Sequence, residues 1–238
     1  MIKTVLFDLD GTLLPMDLDV FTKAYIGSLS AALSDGDGKK GEMIAKATMA
    51  GVYAMVKNDG QKANEEIFWE SFDKILPAMD YKDSDAINGY YKTEFQNIKS
   101  VCSFDVRAAR TVKKAKEHSF TVVLATNPLF PLTATESRIR WAGLDTDDFV
   151  YISSYENSHF TKPSLAYYTE ILDKLGLCAD ECLMVGNDAD EDMVASELGM
   201  KVFLLTDCLI NKSGRDISHF PSGSFDELDA YISSLNNN

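Results

Sequence analysis

The stretch Val5-Leu6-Phe7-Asp8-Leu9-Asp10-Gly11-Thr12-Leu13 runs an apolar segment into two carboxylates two residues apart, with Gly-Thr directly behind them. Side chains two apart on a strand point the same way, so a strand ending here sets Asp8 and Asp10 near one point at its C-terminal edge. Two like charges held that close call for a counter-charge, or for one of them to stay protonated. Asp-Gly is also a hairpin signal. The residues leading into it are continuously apolar rather than alternating, which fits a central parallel strand covered on both faces.

The next convincing strand is 120–125, too far along for a single crossover helix, so a segment is inserted. Residues 16–100 read as helices. Phe21, Ala24, Tyr25, Ser28 and Ala32 fall at helical spacing, and a Gly- and Asp-rich break follows at 34–38. A second helix runs from about 40 to 56, and Asn58-Asp59-Gly60 marks a turn. A third carries Phe68, Phe72, Ile75 and Leu76 on one face and closes at Pro77. A fourth, capped by Asp83 or Ser84, carries Ile87, Tyr90, Tyr91 and Phe95. Four such helices predict a compact bundle.

From Cys102 onward helices and strands alternate. Helices are expected near 105–118, 131–141, 164–175, 190–198 and 225–235, and strands at 120–125, 149–152, 182–185 and 201–205. Ser224 and Glu227 form a capping box, and Gly143, Gly176 and Gly199 stand where helix C-caps belong. The 236–238 tail reads as frayed. The pattern predicts an α/β fold: a doubly wound parallel sheet with an inserted all-helical cap domain, the core being 1–15 and 101–238 and the cap 16–100. Such sheets bind ligands at the C-terminal ends of their strands.

The 238 residues carry a net charge of −14, from 37 acidic and 23 basic side chains. That surface repels nucleic acid and anionic membranes, so neither is expected as a partner. A small anionic substrate then needs a local positive charge or a metal. Cys102, Cys178, Cys182 and Cys208 form no C-x-x-C pair and no cluster with His118, His159 and His219, which argues against zinc and for free thiols in a reducing compartment. Asp8 and Asp10 interrupt the N-terminal apolar stretch, so no cleavable signal is expected, and no segment has transmembrane length. These features predict a cytoplasmic protein.

Three further segments lie just past expected strand ends. Thr126-Asn127 offers a hydroxyl and backbone amides to an anion. Thr161-Lys162-Pro163 precedes a helix and holds a lysine at its N-terminus, where the dipole disfavours a cation unless an anion or carboxylate sits nearby. Gly186-Asn187-Asp188-Ala189-Asp190-Glu191-Asp192 crowds acids into one turn, with Asp188 and Asp192 four apart and able to face one spot. With Asp8 and Asp10 this gives up to four carboxylates at one sheet edge. Hard oxygen donors without His or Cys point to Mg²⁺.

Asp8–Thr12, Thr126, Lys162 and the 186–192 segment, in this order, resemble the four motifs of the haloacid dehalogenase superfamily. A helical insert after the first motif resembles its C1 cap. The resemblance implies a phosphatase in which Asp8 is the nucleophile and forms an aspartyl-phosphate, while Asp10 protonates the leaving oxygen and then activates water. It further implies that Gly11, Thr12, Thr126, Asn127 and Lys162 hold the phosphate of a small phosphorylated metabolite. Mg²⁺ would be bound by Asp8, the backbone carbonyl of Asp10 and Asp188, with Asp192 orienting that shell. The family commonly has Gly-Asp at the fourth motif. Here Asn187 intervenes, so Asp190 competes with Asp188 as the ligand. A halide leaves without protonation, so Asp10 speaks against dehalogenation. A sugar-phosphate mutase and a non-catalytic regulatory protein on the same scaffold are the alternatives.

Overall fold

Both faces of the sheet are covered, which is why its central strands carry continuous apolar runs instead of alternating. The computed structural model describes residues 1–77, 81–82 and 84–235. Five parallel strands, β1 (Thr4–Phe7), β2 (Thr121–Leu124), β3 (Cys182–Gly186), β4 (Lys201–Leu205) and β5 (Ser222–Gly223), lie in the order β2-β1-β3-β4-β5. Val5, Phe7, Val122, Leu124, Leu183 and Val185 belong to one core. Leu6, Val123, Met184 and Leu204 belong to the other. The period of two thus survives as a division between two cores.

The inserted segment is helical: α1 (Leu18–Ser34), α2 (Gly38–Val56), α3 (Asn64–Ile75) and α4 (Asp85–Lys92), then a 3₁₀ stretch over Glu94–Val101. Side-chain caps start three of them. Asp17 accepts from the amides of Asp19 and Val20, Asp37 from Lys39 and Lys40, and Ser84 from Ile87. Asp83, the other expected cap, lies outside the described residues, as does the 236–238 tail. The fourth expected helix is divided at Thr93, so Phe95 sits on the 3₁₀ turn. The insert does not keep a core to itself. Phe21, Tyr25, Phe72 and Phe95 form one continuous apolar cluster with Val5, Phe7 and Val122 of the sheet. Its two connections run side by side: Met16 bridges Cys102, and the Ser103 amide donates to the Pro15 carbonyl at 2.8 Å.

The core helices are α5 (Val106–Glu117), α6 (Leu132–Trp141), α7 (Leu165–Leu175) and α8 (Phe225–Ser234). Ala108, Val112 and Ala115 of α5 join Phe225, Leu228 and Ile232 of α8 in the first core. Tyr167, Tyr168, Ile171 and Leu172 of α7 cover the opposite face. The capping box at Ser224 and Glu227 forms, and Gly176 and Gly199 cap their helices in the left-handed conformation.

Two expectations are corrected, and one strand was not expected. Residues 149–152 form a single parallel bridge, Leu124 to Ile152, instead of a strand. They run along the outer edge of β2, where the Val150 amide donates to the Val122 carbonyl at 2.9 Å and the Ser153 amide to the Leu124 carbonyl at 3.0 Å, too uneven a spacing to extend the bridge into a ladder. The 190–198 helix shrinks to a 3₁₀ turn over Met193–Leu198, because residues 188–192 form a separate turn closed by the Asp192 amide on the Asp188 carbonyl at 2.9 Å. β5 had no signal in the sequence: it is two residues long and polar or glycine. Among the described residues no helix is long and apolar enough to cross a membrane.

Asp8 follows β1, Thr126 lies two residues past β2 and Asn187 follows β3, so all three stand at the C-terminal edge of adjacent strands. The shared apolar cluster makes insert and core one cooperative unit. Phe72→Ala, deep in the insert where Phe72 meets Phe68, Trp69 and Tyr81, should cost about 3–5 kcal/mol and lower the melting temperature of a single transition. Two separate transitions by calorimetry would contradict the shared core.

Candidate functional site

Parallel pairing brings the three strand ends together, and buried charge then arranges them. Asp8 has its amide bonded to the Val185 carbonyl at 2.9 Å, which fixes it beside β3. Its Oδ1 accepts from Lys162 Nζ at 2.8 Å and its Oδ2 from Thr12 Oγ1 at 3.0 Å. Lys162 also donates to Asp192 Oδ1 at 2.6 Å. Lys162 is 2% exposed and Asp192 1%. Burial opposes the charge on Lys162, but Asp192 and Asp8 outweigh it and hold the ammonium well above its ordinary range. Burial pushes the Asp192 carboxyl up to about 7, Lys162 pulling the other way and Asp8 adding to the rise. The lysine is thus the cation between two carboxylates that its place before α7 called for. The structure starts α7 one residue after the Ser164 cap, so Pro163 precedes the helix.

Asp10 has a different neighbour. Its Oδ2 is salt-bridged to Arg138 of α6, which is 0% exposed. Arg138 also donates from Nη2 to Thr135 Oγ1 at 3.0 Å. Its guanidinium lies 4.3 Å from the Phe130 ring centroid and 5.9 Å from that of Phe21. Burial raises the Asp10 carboxyl, with Arg138 opposing and Asp8 reinforcing the rise. Asp10 Oδ1 is buried and has no hydrogen-bond partner among the described residues.

A cavity of about 250 Å³ opens over this edge. Asp8, Asp10, Thr126, Asn127, Asp188 and Asp192 line it among the expected residues. Gly11, Thr12 and Lys162 are off its wall, each touching a residue that is on it. Gly11 has φ +86°, and a Cβ there would meet Asn187 Nδ2 at 2.5 Å, so only glycine fits. Thr12 Oγ1 also lies 2.9 Å from Asn187 Oδ1. Its one hydroxyl hydrogen serves Asp8 or Asn187, not both. The Thr126 carbonyl is held by Ser153 Oγ at 2.7 Å and Tyr167 OH at 2.8 Å. Asn127 Nδ2 donates to Glu191 Oε2 at 3.0 Å, and its Oδ1 is a second buried, unpartnered acceptor.

The acidic segment does not converge as its spacing suggested. Asp188 Oδ1 accepts from the amides of Asp190 and Glu191 at 2.8 and 3.0 Å. Asp192 Oδ2 accepts from the Asp188 amide at 2.9 Å, so both Asp192 oxygens are engaged. Asp190 is turned to Ser213, whose hydroxyl and amide reach it at 2.6 and 3.2 Å, and it is off the cavity wall. Among the described residues no group of three or more His, Cys, Asp or Glu side chains closes around one point. Lys162 stands between Asp8 and Asp192, Arg138 holds Asp10, and Asp188 caps its own turn. The donor chemistry nonetheless fits a hard cation. Oxygens of Asp8, Asp10, Asn187 and Asp188 face one cavity, and two buried acceptor atoms there lack any donor.

Arg138 and Phe130 escaped the sequence reading, and Phe21 was read only as part of a helix face. Arg138 was one more basic residue on a helix, and only its place on the buried face of α6 sets it apart. Asn187 was visible as an inserted residue but without a partner.

A family model described as haloacid dehalogenase-like hydrolase matches residues 2–198. No curated protein sequence matches the chain. Among solved structures, a HAD phosphatase from Thermococcus onnurineus is similar at 17% identity and TM-score 0.60, covering 97% of this chain and 98% of its own. The L-2-haloacid dehalogenase of Xanthobacter autotrophicus is similar at 16% identity and TM-score 0.57, covering 99% and 100%. A protein described as a HAD-hydrolase from Bacillus subtilis, bound to magnesium, is similar at 17% identity and TM-score 0.54, covering 97% and 98%. At these identities the likeness is one of fold.

The buried triad has a measurable consequence. Lys162→Met strands two buried carboxylates and should cost about 3–5 kcal/mol in urea unfolding without divalent metal. Adding Asp192→Asn should restore part of that loss. A Lys162→Met protein within 1 kcal/mol of wild type would remove the lysine from its central place.

Proposed function

The chain belongs to the haloacid dehalogenase-like hydrolases, and on that premise we propose that it is a Mg²⁺-dependent phosphatase acting on a small phosphorylated metabolite. The observation that carries this reading is a second, unequal acid in the cavity: Asp10 shares it with Asp8, and one of its oxygens is buried without a partner. A departing halide needs no proton, whereas the alkoxide of a phosphate ester does.

Asp8 is the nucleophile in this reading. Lys162 and Thr12 hold its two oxygens and so fix its direction of attack. Its carboxylate attacks phosphorus, the bond to the leaving oxygen breaks, and an aspartyl-phosphate forms on Asp8. Asp10 supplies the proton to the leaving oxygen and afterwards takes one from the water that hydrolyses the acyl phosphate. The backbone at Thr126, pinned through its carbonyl by Ser153 and Tyr167, presents Thr126 and Asn127 to the phosphate oxygens. Lys162 keeps one ammonium hydrogen beyond those given to Asp8 and Asp192.

Asp8, the backbone carbonyl of Asp10 and Asp188 would hold Mg²⁺, with Asn187 beside them and Asp192 orienting the turn. Bound there, the ion would neutralise phosphate charge and polarise the phosphorus–oxygen bonds. Residues 16–100 act as the cap over a core of 1–15 and 101–238. Leu18, Phe21 and Thr22 of α1 supply its share of the cavity wall and exclude water from the reacting atoms.

The purified protein should release phosphate from 4-nitrophenyl phosphate with Mg²⁺ and lose that activity with a chelator. Asp8→Asn should keep its circular dichroism and lose at least about 1,000-fold in rate. Retention of activity by Asp8→Asn would dismiss the nucleophile, and halide release from 2-chloropropionate without phosphate release would dismiss the phosphatase.

A further inference from the structure

Arg138 is the most deeply buried charge of the site that the mechanism leaves without a task. It stands on α6 with 0% exposure and bridges to Asp10 Oδ2. A buried guanidinium is costly to desolvate and is kept where its fixed fork matches its partners. Here the fork is well matched. One nitrogen meets Asp10, a second meets Thr135 Oγ1 at 3.0 Å, and Nε reaches the Ala134 carbonyl at 3.4 Å. Phe130 and Phe21 pack against it, the nearer centroid at 4.3 Å. A group held at so many points has little freedom to turn.

The consequence falls on Asp10. Arg138 claims one carboxylate oxygen and leaves Oδ1 buried, unpartnered and part of a residue on the cavity wall. We propose that Arg138 is a positioning residue: it anchors Asp10 by Oδ2 so that Oδ1 alone meets the leaving-group oxygen. This rests on the phosphatase reading above. In the first step the O–P bond of the ester breaks as the Asp8 oxygen bonds to phosphorus, and the proton on Asp10 Oδ1 passes to the leaving oxygen. The alcohol departs neutral and Asp10 is left ionised against the guanidinium. In the second step Asp10 takes a proton from the attacking water, phosphate leaves Asp8, and both side chains are restored.

The role predicts a dependence on the leaving group. A positioned acid contributes about 10²–10⁴-fold where the leaving oxygen is strongly basic. It contributes little where the leaving group departs readily as an anion, as 4-nitrophenolate does. The test compares kcat/KM, which reports the first chemical step, for 4-nitrophenyl phosphate and for a simple alkyl phosphate. Arg138→Lys keeps a positive charge and loses the fork. It should reduce kcat/KM at least about tenfold more on the alkyl than on the aryl ester. In an Asp10→Asn background the same substitution should have no further effect on either ester, since its action passes through Asp10. Thr135→Val keeps the arginine and removes only one of its acceptors. It carries the same comparison if melting curves show that Arg138→Lys does not fold.

Equal losses on both esters, or an undiminished loss in the Asp10→Asn background, would assign Arg138 a purely structural role and overturn the proposal. Failure of the wild type to hydrolyse either ester overturns the phosphatase reading, and this inference with it. A wild type active on both esters, with variants that do not discriminate between them, refutes this inference alone.

Discussion

One buried ammonium group decides how the site is put together. Lys162 lies between Asp8 and Asp192, and each of the three is under a tenth exposed. Two carboxylates cannot share so dry a place without a cation, and a lysine cannot be buried there without carboxylates. The strand ends of β1 and β3, the segment before α7 and the 188–192 turn are therefore fixed relative to one another by charge as well as by backbone pairing. A second pair, Asp10 with Arg138, settles the other acid in the same way. The two aspartates that leave one strand side by side thus end in different electrostatic surroundings. That difference lets chemically identical side chains take different parts in a reaction.

Much of the fold was legible because its signals are local. Continuous apolar runs marked β1, β2, β3 and β4, and Asp, Ser and Gly punctuation marked most helix ends. What failed was what depends on distant parts of the chain. Residues 149–152 look like a strand, but their pairing with β2 amounts to one bridge at the edge of the sheet. The 190–198 segment has helical periodicity, but Asp188 and Asp192 use their side chains to close a tight turn first. β5 is two residues with no pattern to read.

The site divides along the same line. Asp8, Asp10, Thr126, Asn127, Asp188 and Asp192 meet at one cavity because each follows a strand of the same parallel sheet, which alternation alone discloses. The grouping of their charges was not disclosed. Four acids at one edge suggested a single metal cluster, yet three of them, Asp8, Asp10 and Asp192, are taken up by basic side chains from elsewhere in the chain. Lys162 could be suspected because it stands where a helix dipole disfavours it. Arg138 could not, since helices carry arginines routinely and only the tertiary structure shows that this one is dry.

The ties that complete the site have a bearing on how the chain is made. Thr12 and Asn187, which meet through their side chains, are 175 residues apart, and Lys162 and Asp8 are 154 apart. During synthesis Asp8 and Asp10 emerge early and remain ordinary solvated carboxylates. The α1 to α4 helices emerge next, but Phe21, Tyr25 and Phe95 still lack Phe130 and Trp141, against which they pack. Nothing restrains the two acids until β3 has paired with β1 and residues 162–192 have followed. A ribosome-bound fragment ending short of that point leaves Asp8 and Asp10 without the partners that fix them. The assembled site therefore arrives last, as a property of the finished topology.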